Sequence, residues 1–454
     1  MIVEGTPQVV IVTPTPETAA PVSLNSKDPK TFLQVVFGEP ETFDPALAYD
    51  TASGEVVMNV YEPLVFYDGI HTDKFVGLLA ESWEVSADGT VYTFKIRQGV
   101  KFHEGQDLTP SDVAYTFQRG LLFGGYHGPQ WLLAEPFFGT GLDDITYLVD
   151  EGNSADDREA LQANDPEVLK AACEKVKSVI VADDANWTVT MTLAQPWGPF
   201  IPTITQTWGG IMDKDWTIAN GGWDDDCATW QNYYNEPSES DPFSTITNGT
   251  GPFKLDHWTP GEEVVLVRFD DYWREPAKLE RVVTKFVNEW GTRFAMMQAS
   301  DADFVAVPPE NRIQMDALVG EIEIFDLEKN EYLPVQEVCG FDSSKMAEEK
   351  FQVCASGEQG TGGPFRLSIG RPSTSRTDMF LTFNVVESSN YVGSGKLDGN
   401  GIPRDFFSDI NIRKAFAYCF DWDIYINDVF DGEAVQSPVV PLSGMPGYQA
   451  DFPV

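Results

Sequence analysis

The sequence predicts a mixed α/β protein, and three observations carry that reading. Strand-type and helix-type segments alternate along most of the chain, most clearly between Tyr92 and Phe117. No repeat of fixed period occurs, which sets solenoids aside. A length of 454 residues implies two to four domains at roughly 100–200 residues each, enough for a sizeable core.

The elements follow from local chemistry. In ESWEVSADGTVYTFKIRQG, residues 81–99, Trp83 and Val85 alternate with polar neighbours, and Asp88-Gly89 supplies a hairpin turn. Tyr92, Phe94 and Ile96 then fall on one face of the return strand. After Gly105, Thr109 offers an N-cap oxygen, Pro110 fits the first helical position and Asp112 completes a capping-box pattern. Val113, Phe117 and Leu121 recur at helical spacing, so a helix is expected from Thr109. His103 beside Glu104 reads as a structural pair.

Hydrophobic residues make up 42% and aromatic residues 13%, with 12 Trp and 30 Phe, a globular composition with an aromatic surplus. Asp and Glu number 71 against 30 Lys and Arg, a formal net charge of -41. Such a surface repels phosphate backbones and anionic headgroups, so nucleic acid is not an expected partner. No apolar run is long enough to span a bilayer. The first 27 residues lack the pattern of a secretory signal. With Pro14, Pro16 and Pro21 among Thr and Ala, they read as a semi-extended tether.

Of the five cysteines, none has zinc-site spacing. Cys339 and Cys354 bracket a Gly- and Glu-rich loop and are free to pair in an oxidising compartment. Cys419, on an apolar helix, is expected to be a buried thiol. WDDDCA from Trp223 and LDGNGIPRD from Leu397 carry oxygens suited to calcium, but neither has full EF-hand spacing. No metal site and no cofactor are expected.

Beyond local structure, a set of motifs stands in a telling order. NVYEPLVFYD at 59–68 precedes LAESWEVSADGTVYTFKIRQGVKFHEGQDLTPSDVAYTF at 79–117. GTGPFKLDHWTPGEEVVLVRFDDYW at 249–273, TKFVNEWGTRFAMMQASDADFVAVPPE at 284–310, LTFNV at 381–385 and FSDINIRKAFAYCFDWDIYINDVFDGEA at 407–434 follow. Together they resemble family 5 of the extracytoplasmic solute-binding proteins of ABC importers, which includes dipeptide-, oligopeptide- and nickel-binding proteins. The likeness covers roughly residues 30–450.

That resemblance implies a two-lobed, type II periplasmic-binding-protein fold. The first lobe would take residues 28–53 and 190–300, with a small subdomain inserted at 54–189 that carries the hairpin and capped helix. The second lobe would begin at 301 and stay incomplete at 454. The family pattern calls for further chain with a Trp-x-x-Asp-Tyr segment, so the sequence reads as a C-terminally truncated member. Acidic or Gly-rich insertions at 135–178 and 339–376 read as surface ornament.

The resemblance also implies a function: capture of a small solute, a peptide first of all, in an interlobe cleft, and delivery to the permease of an ABC transporter. Oligosaccharides and nickel complexes stay open as solutes. The protein would work outside the cytoplasm, in the periplasm or on the outer face of the membrane, tied there through a lipid anchor that this chain lacks. No catalysis is implied. The rival readings are a secreted glycoside hydrolase using paired carboxylates and a surface adhesion module. The absence of H-E-x-x-H and G-x-S-x-G and a total of 4 His argue against hydrolase classes that depend on those motifs.

Site residues carry over only where the chain aligns with the family. GEPETFDP at 38–45 resembles the first cleft loop, which places Glu39, Glu41 and Thr42 near ligand; the alternative is a solvated loop. Tyr126 and Trp131 fall where the subdomain reaches the cleft. Trp208 lies in a similar lining stretch, beside Gly209, which permits close backbone approach. Glu310 matches a cleft-facing acid of peptide-binding relatives, or is an ordinary helix-start glutamate.

Overall fold

The computed structural model describes residues 26–69, 71–326, 329, 331–340, 352–355, 358, 360–370, 376–430, 434–437, 439–442, 445 and 447–449. The expected tether at 1–27 lies almost wholly outside them. The described residues form two compact units that divide between Ala306 and Val307.

In the first unit the strands are β1 (Thr31–Val36), β2 (Val65–Tyr67), β3 (Phe75–Gly77), β4 (Ala80–Val85), β5 (Val91–Ile96), β6 (Ile180–Asp183), β7 (Thr188–Thr192), β8 (Phe253–Thr259), β9 (Glu263–Arg268), β10 (Arg281–Phe286) and β11 (Phe304–Val305). They make a five-stranded sheet of order β11-β1-β10-β9-β8, a four-stranded sheet of order β4-β5-β7-β6 and the β2–β3 hairpin. The larger sheet draws only on residues 31–36 and 253–305, the smaller only on 80–192. The smaller one is therefore built from chain inserted between β1 and its sheet neighbours.

The hairpin expected at 83–96 is β4–β5, with Trp83 opposite Phe94 and Gly89 at φ +73° in the turn. Phe94 and Ile96 are fully buried. The helices that matter next are α1 (Thr51–Val60), α2 (Pro110–Phe123) and α3 (Trp131–Phe138). The capping box at the start of α2 forms as expected: Asp112 N donates to the Thr109 hydroxyl and Thr109 N donates to Asp112 Oδ2 at 2.7 Å. Every residue of α2 except Ser111 is buried. The helix lies on the four-stranded sheet, where Gln118 Nε2 donates to the Ile180 carbonyl at 2.8 Å. Phe94, Phe102, Phe117 and Phe137 share that core, each contributing about 1.5–3 kcal/mol by burial.

A second core sits under the five-stranded sheet, around Phe43, Val57, Tyr61, Phe243 and Leu266. Between the two cores the Gly249-Thr250-Gly251 segment runs against the end of α1. Gly251 N donates to the Val60 carbonyl at 2.9 Å, and a Cβ on Gly249 would stand 2.1 Å from the same oxygen, so only glycine fits. Glu62, 4% exposed, accepts hydrogen bonds from Thr250, Tyr272 and Trp273 at 2.7–2.9 Å. Burial raises its pKa, against those three donors. His103 Nε2 donates to the Gly251 carbonyl at 3.0 Å rather than pairing with Glu104, whose N–H donates to Asn248 Oδ1 at 3.0 Å; burial lowers the His103 pKa to about 4, so the ring is neutral.

Cys173 and Cys227 form a disulfide that ties the helix Pro166–Val179 to the segment carrying Trp230, whose indole donates to the Leu169 carbonyl at 2.8 Å. Sequence spacing offered no hint of that pair. In the adjoining acidic patch, Asp225 is held by Lys177 at 2.6 Å and Lys214 at 2.5 Å, so its carboxylate is already neutralised.

The second unit contains β12 (Val319–Asp326), β13 (Glu331–Tyr332), β14 (Gln336–Gly340), β15 (Gln352–Val353) and β16 (Phe365–Ile369). β12 pairs antiparallel with β13 and β14 and parallel with β16. Cys339 and Cys354 are disulfide-bonded across β14 and β15. Farther along, Asp409 caps the helix Ile410–Cys419. Cys419 corrects the expectation of a buried thiol: it is free and exposed, because no residue of that helix is buried.

Candidate functional site

β1, β10 and β11 run parallel, so their carboxyl ends share one edge of the sheet. In open α/β sheets that edge is where ligands bind. Phe37 leaves β1 there, 70% exposed. Gly38 follows at φ +77°, its N–H donating to Asn288 Oδ1 at 3.1 Å. Glu39 reaches the β8–β9 turn, where Gly261 N donates to its carboxylate at 2.6 Å. Beyond β10, Glu289 caps the helix Trp290–Gln298 by accepting from Gly291 N and Thr292 N, which lowers its pKa. The positive end of that helix dipole is thus already occupied by a carboxylate.

From this edge the segment 39–50 folds back over the unit. Ser53 Oγ accepts from Glu41 N and Thr42 N at 3.0 and 3.2 Å. Asp44 closes a turn by accepting from Ala46 N at 2.7 Å. Gln130 Nε2 donates to the Ala46 carbonyl at 3.1 Å, and Thr207 Oγ1 donates to the Ala48 carbonyl at 2.7 Å. Those two bonds set the 126–131 and 207–209 stretches against one segment.

The expected site residues fare differently. Glu39 and Glu41 are exposed, and the Glu41 carboxylate has no partner among the described residues. Thr42 is 3% exposed and hydrogen-bonds Ser244 Oγ at 3.1 Å, so it holds the loop from behind. Tyr126 is exposed but turns toward the inserted acidic segment, donating to Asp143 at 2.8 Å; burial, then Asp143, raises its pKa. Trp131 opens α3, partly exposed. Trp208 is partly exposed, its ring 6.1 Å from that of Tyr49. Gly209 does permit a close approach, but to the Ile204 carbonyl, 2.1 Å from where a Cβ would stand. The Glu310 side chain lies outside the described residues.

Sequence reasoning missed two exposed aromatics, Phe37 just before this segment and Tyr49 within it, the latter 55% exposed. The only hint was an aromatic directly before the GEPETFDP loop and another four residues after it. It also missed the buried cluster beneath the loop, where Arg119 of α2 takes both oxygens of Asp44, at 2.8 and 2.5 Å, and approaches Asp241 at 3.7 Å. Among the described residues no group of three or more ligand-type side chains is placed to hold a metal ion.

The model of the family described as bacterial extracellular solute-binding proteins, family 5, middle, matches residues 74–346. The chain belongs to this family. Its fold is accordingly the mixed α/β, type II binding-protein fold that the motif order implied. Family 5 groups solute-binding transport proteins, not enzymes. The chain is 26% identical over 434 residues to the dipeptide-binding protein of Escherichia coli K12, covering 93% of this chain and 60% of that one. It is 27% identical over 273 residues to the dipeptide-binding protein DppE of Bacillus subtilis 168, covering 60% of this chain and 42% of that one. The chain thus spans less than two thirds of the length of either relative. Among solved structures, the periplasmic binding protein DppA from Helicobacter pylori in complex with the peptide STSA aligns with a TM-score of 0.45 at 23% identity, over 64% of this chain and 50% of that chain. Among the described residues, no helix is long and apolar enough to cross a membrane.

Proposed function

We propose that this family-5 protein is the extracytoplasmic solute-capturing component of an ABC importer and that its solute is a short peptide, bound without being transformed. Membership of the family over residues 74–346 carries the proposal. Two relatives named for dipeptide binding support the choice of solute. The chemistry of the first unit agrees with it. At the carboxyl edge of the sheet, Glu39 and Glu41 offer carboxylates to an amine. Phe37, Tyr49 and Trp208 offer apolar faces to side chains, and Trp131 borders the same segment.

Thermal unfolding followed by fluorescence, with dipeptides, oligosaccharides and nickel salts added in turn, tests the reading. A ligand selective for the folded state stabilises it by about 2.7 kcal/mol at a hundredfold excess over Kd. The expected result is a melting shift that grows with dipeptide concentration, with no product formed. A shift confined to oligosaccharides or nickel would transfer the solute to that class. Hydrolysis of a glycan, abolished by neutralising a pair of carboxylates, would replace the transport reading with the enzymatic one.

A further inference from the structure

We propose that Asp44, Arg119 and Asp241 form a proton-linked latch that seats the 39–50 segment, which makes them positioning residues for the solute. The inference rests on the reading of that segment as solute-facing. The geometry is a cluster of three charged side chains drawn from three separate elements. Asp44 sits in the segment itself, Arg119 on α2 and Asp241 just before Phe243 of the second core. They are 0%, 4% and 6% exposed.

Arg119 spends its fork on Asp44, leaving Asp241 at 3.7 Å from the same guanidinium. Two carboxylates therefore face one cation where water does not reach, and an uncompensated buried charge is costly. A proton on Asp241 removes the excess. Its pKa is pushed up to about 8, first by burial and then by the Asp44 carboxylate.

Arg119 is the cation that Asp44 and Asp241 share, and Arg158 acts on the adjoining Glu236. Tyr61 at the end of α1 and Tyr115 on α2 face the cluster as neutral phenols, their pKa values raised chiefly by burial. Glu236, upstream of Asp241, adds a third acid, its pKa also raised by burial. Met212 Sδ lies 3.5 Å from the guanidinium, and the rings of Phe123 and Phe243 flank it at 5.5 and 5.0 Å.

The cluster is wired directly to the loop. Ser244 Oγ donates to the Ser238 carbonyl at 2.6 Å, lies 3.3 Å from Asp241 Oδ2 and accepts from the Thr42 hydroxyl at 3.1 Å. Phe43 N donates to the Ser244 carbonyl at 3.2 Å, and Ala48 N to the Asp44 carbonyl at 2.8 Å. Losing the proton sets two negative carboxylates against each other across the contact between the loop and the Asp241–Ser244 turn.

The sign follows from linkage. The folded state keeps a proton on Asp241 that the unfolded state releases near 3.8, so this group's effect on stability worsens as pH rises from about 4 to 8 and levels off above. Amide hydrogen exchange on the 454-residue protein between pH 6 and 9, corrected for intrinsic rates, reads it locally. The expected result is an opening equilibrium at Phe43 and Ala48 that grows about tenfold or more in the wild type. In Asp241→Asn it stays within about twofold, and amides of the reference strand β5 change by the same factor in both proteins. Should Asp241→Asn fail to fold, Asp44→Asn removes the opposing charge and is expected to flatten the same window. An infrared carbonyl band from a protonated carboxylic acid, present at pH 7 and lost by pH 9 in the wild type, gives a readout without mutation.

Flat protection at Phe43 and Ala48 in the wild type, or the same tenfold change in β5, overturns the latch. Dialanine affinity, measured at pH 6 and 9, separates this failure from that of the proposed function. Weaker binding at pH 9 in the wild type alone supports the latch as a positioning device, and equal affinity at both pH values overturns that role. No dialanine binding at either pH counts against the peptide reading, while the exchange result still decides the latch.

Discussion

Two helices begin with side-chain caps and end in opposite environments. α2 starts on Thr109 with a full capping box, and the helix Ile410–Cys419 starts on Asp409, whose carboxylate accepts from Asn411 N at 2.8 Å. Both carry apolar residues at helical spacing. α2 buries all of its residues but one, and the second helix buries none, leaving Ile410 54%, Phe416 46% and Tyr418 87% exposed. A cap and an apolar periodicity are enough to start a helix. Burial also needs a facing surface, and the four-stranded sheet that receives α2 comes from residues 80–96 and 180–192.

The sharpest way to break this comparison is truncation of one phenylalanine on each helix. Phe117→Ala removes a side chain 1% exposed and is expected to cost about 3–5 kcal/mol in urea unfolding. Phe416→Ala, at a half-open position, is expected to cost less than about 1 kcal/mol. Equal costs would mean that Phe416 packs as tightly as Phe117.

The disulfides extend the comparison, since each unit holds one. By loop-closure entropy the Cys173–Cys227 bridge, 54 residues apart, contributes about 4 kcal/mol, and Cys339–Cys354, 15 apart, about 3 kcal/mol. Paired Cys→Ser variants of each bridge, compared by thermal unfolding, are expected to rank in that order. A larger loss from the shorter loop would show that native contacts around β14 and β15 outweigh chain entropy.

The caps give the smallest effect. Thr109→Ala and Asp409→Ala are each expected to weaken their helix by about 1 kcal/mol. Because α2 is part of a core, the first loss should appear in the global unfolding midpoint. The second should appear only as faster amide exchange after Asp409, and a shift of the first unit's midpoint by Asp409→Ala would contradict the separation.

Legibility divides along the same line. The β4–β5 hairpin and the α2 capping box were readable because each is decided within a few residues. The motif order led to the family and so to the fold. Cys173–Cys227, the three donors that converge on Glu62 and the Asp44–Arg119–Asp241 cluster were not readable. Their partners lie far apart in the chain, and no local spacing encodes which distant segments meet. The same reason explains Cys419, whose apolar surroundings in sequence suggested burial. Within the candidate site, Glu39 and Glu41 lie exposed on the loop after β1 and Trp208 lies partly exposed on the 207–209 stretch. The inward turn of Thr42, the approach of Gly209 to Ile204 and the exposure of Phe37 and Tyr49 depended on packing.

By itself, then, the sequence determined the local elements, the acidic surface and the family, because hydrogen-bond caps, turn conformations and side-chain periodicity act over one or two turns of chain. Only the tertiary structure decided which acids stay in water and which meet below the loop. The free energy of a carboxylate depends on the charges and donors around it in space, and Arg119 stands 75 residues from the Asp44 it neutralises.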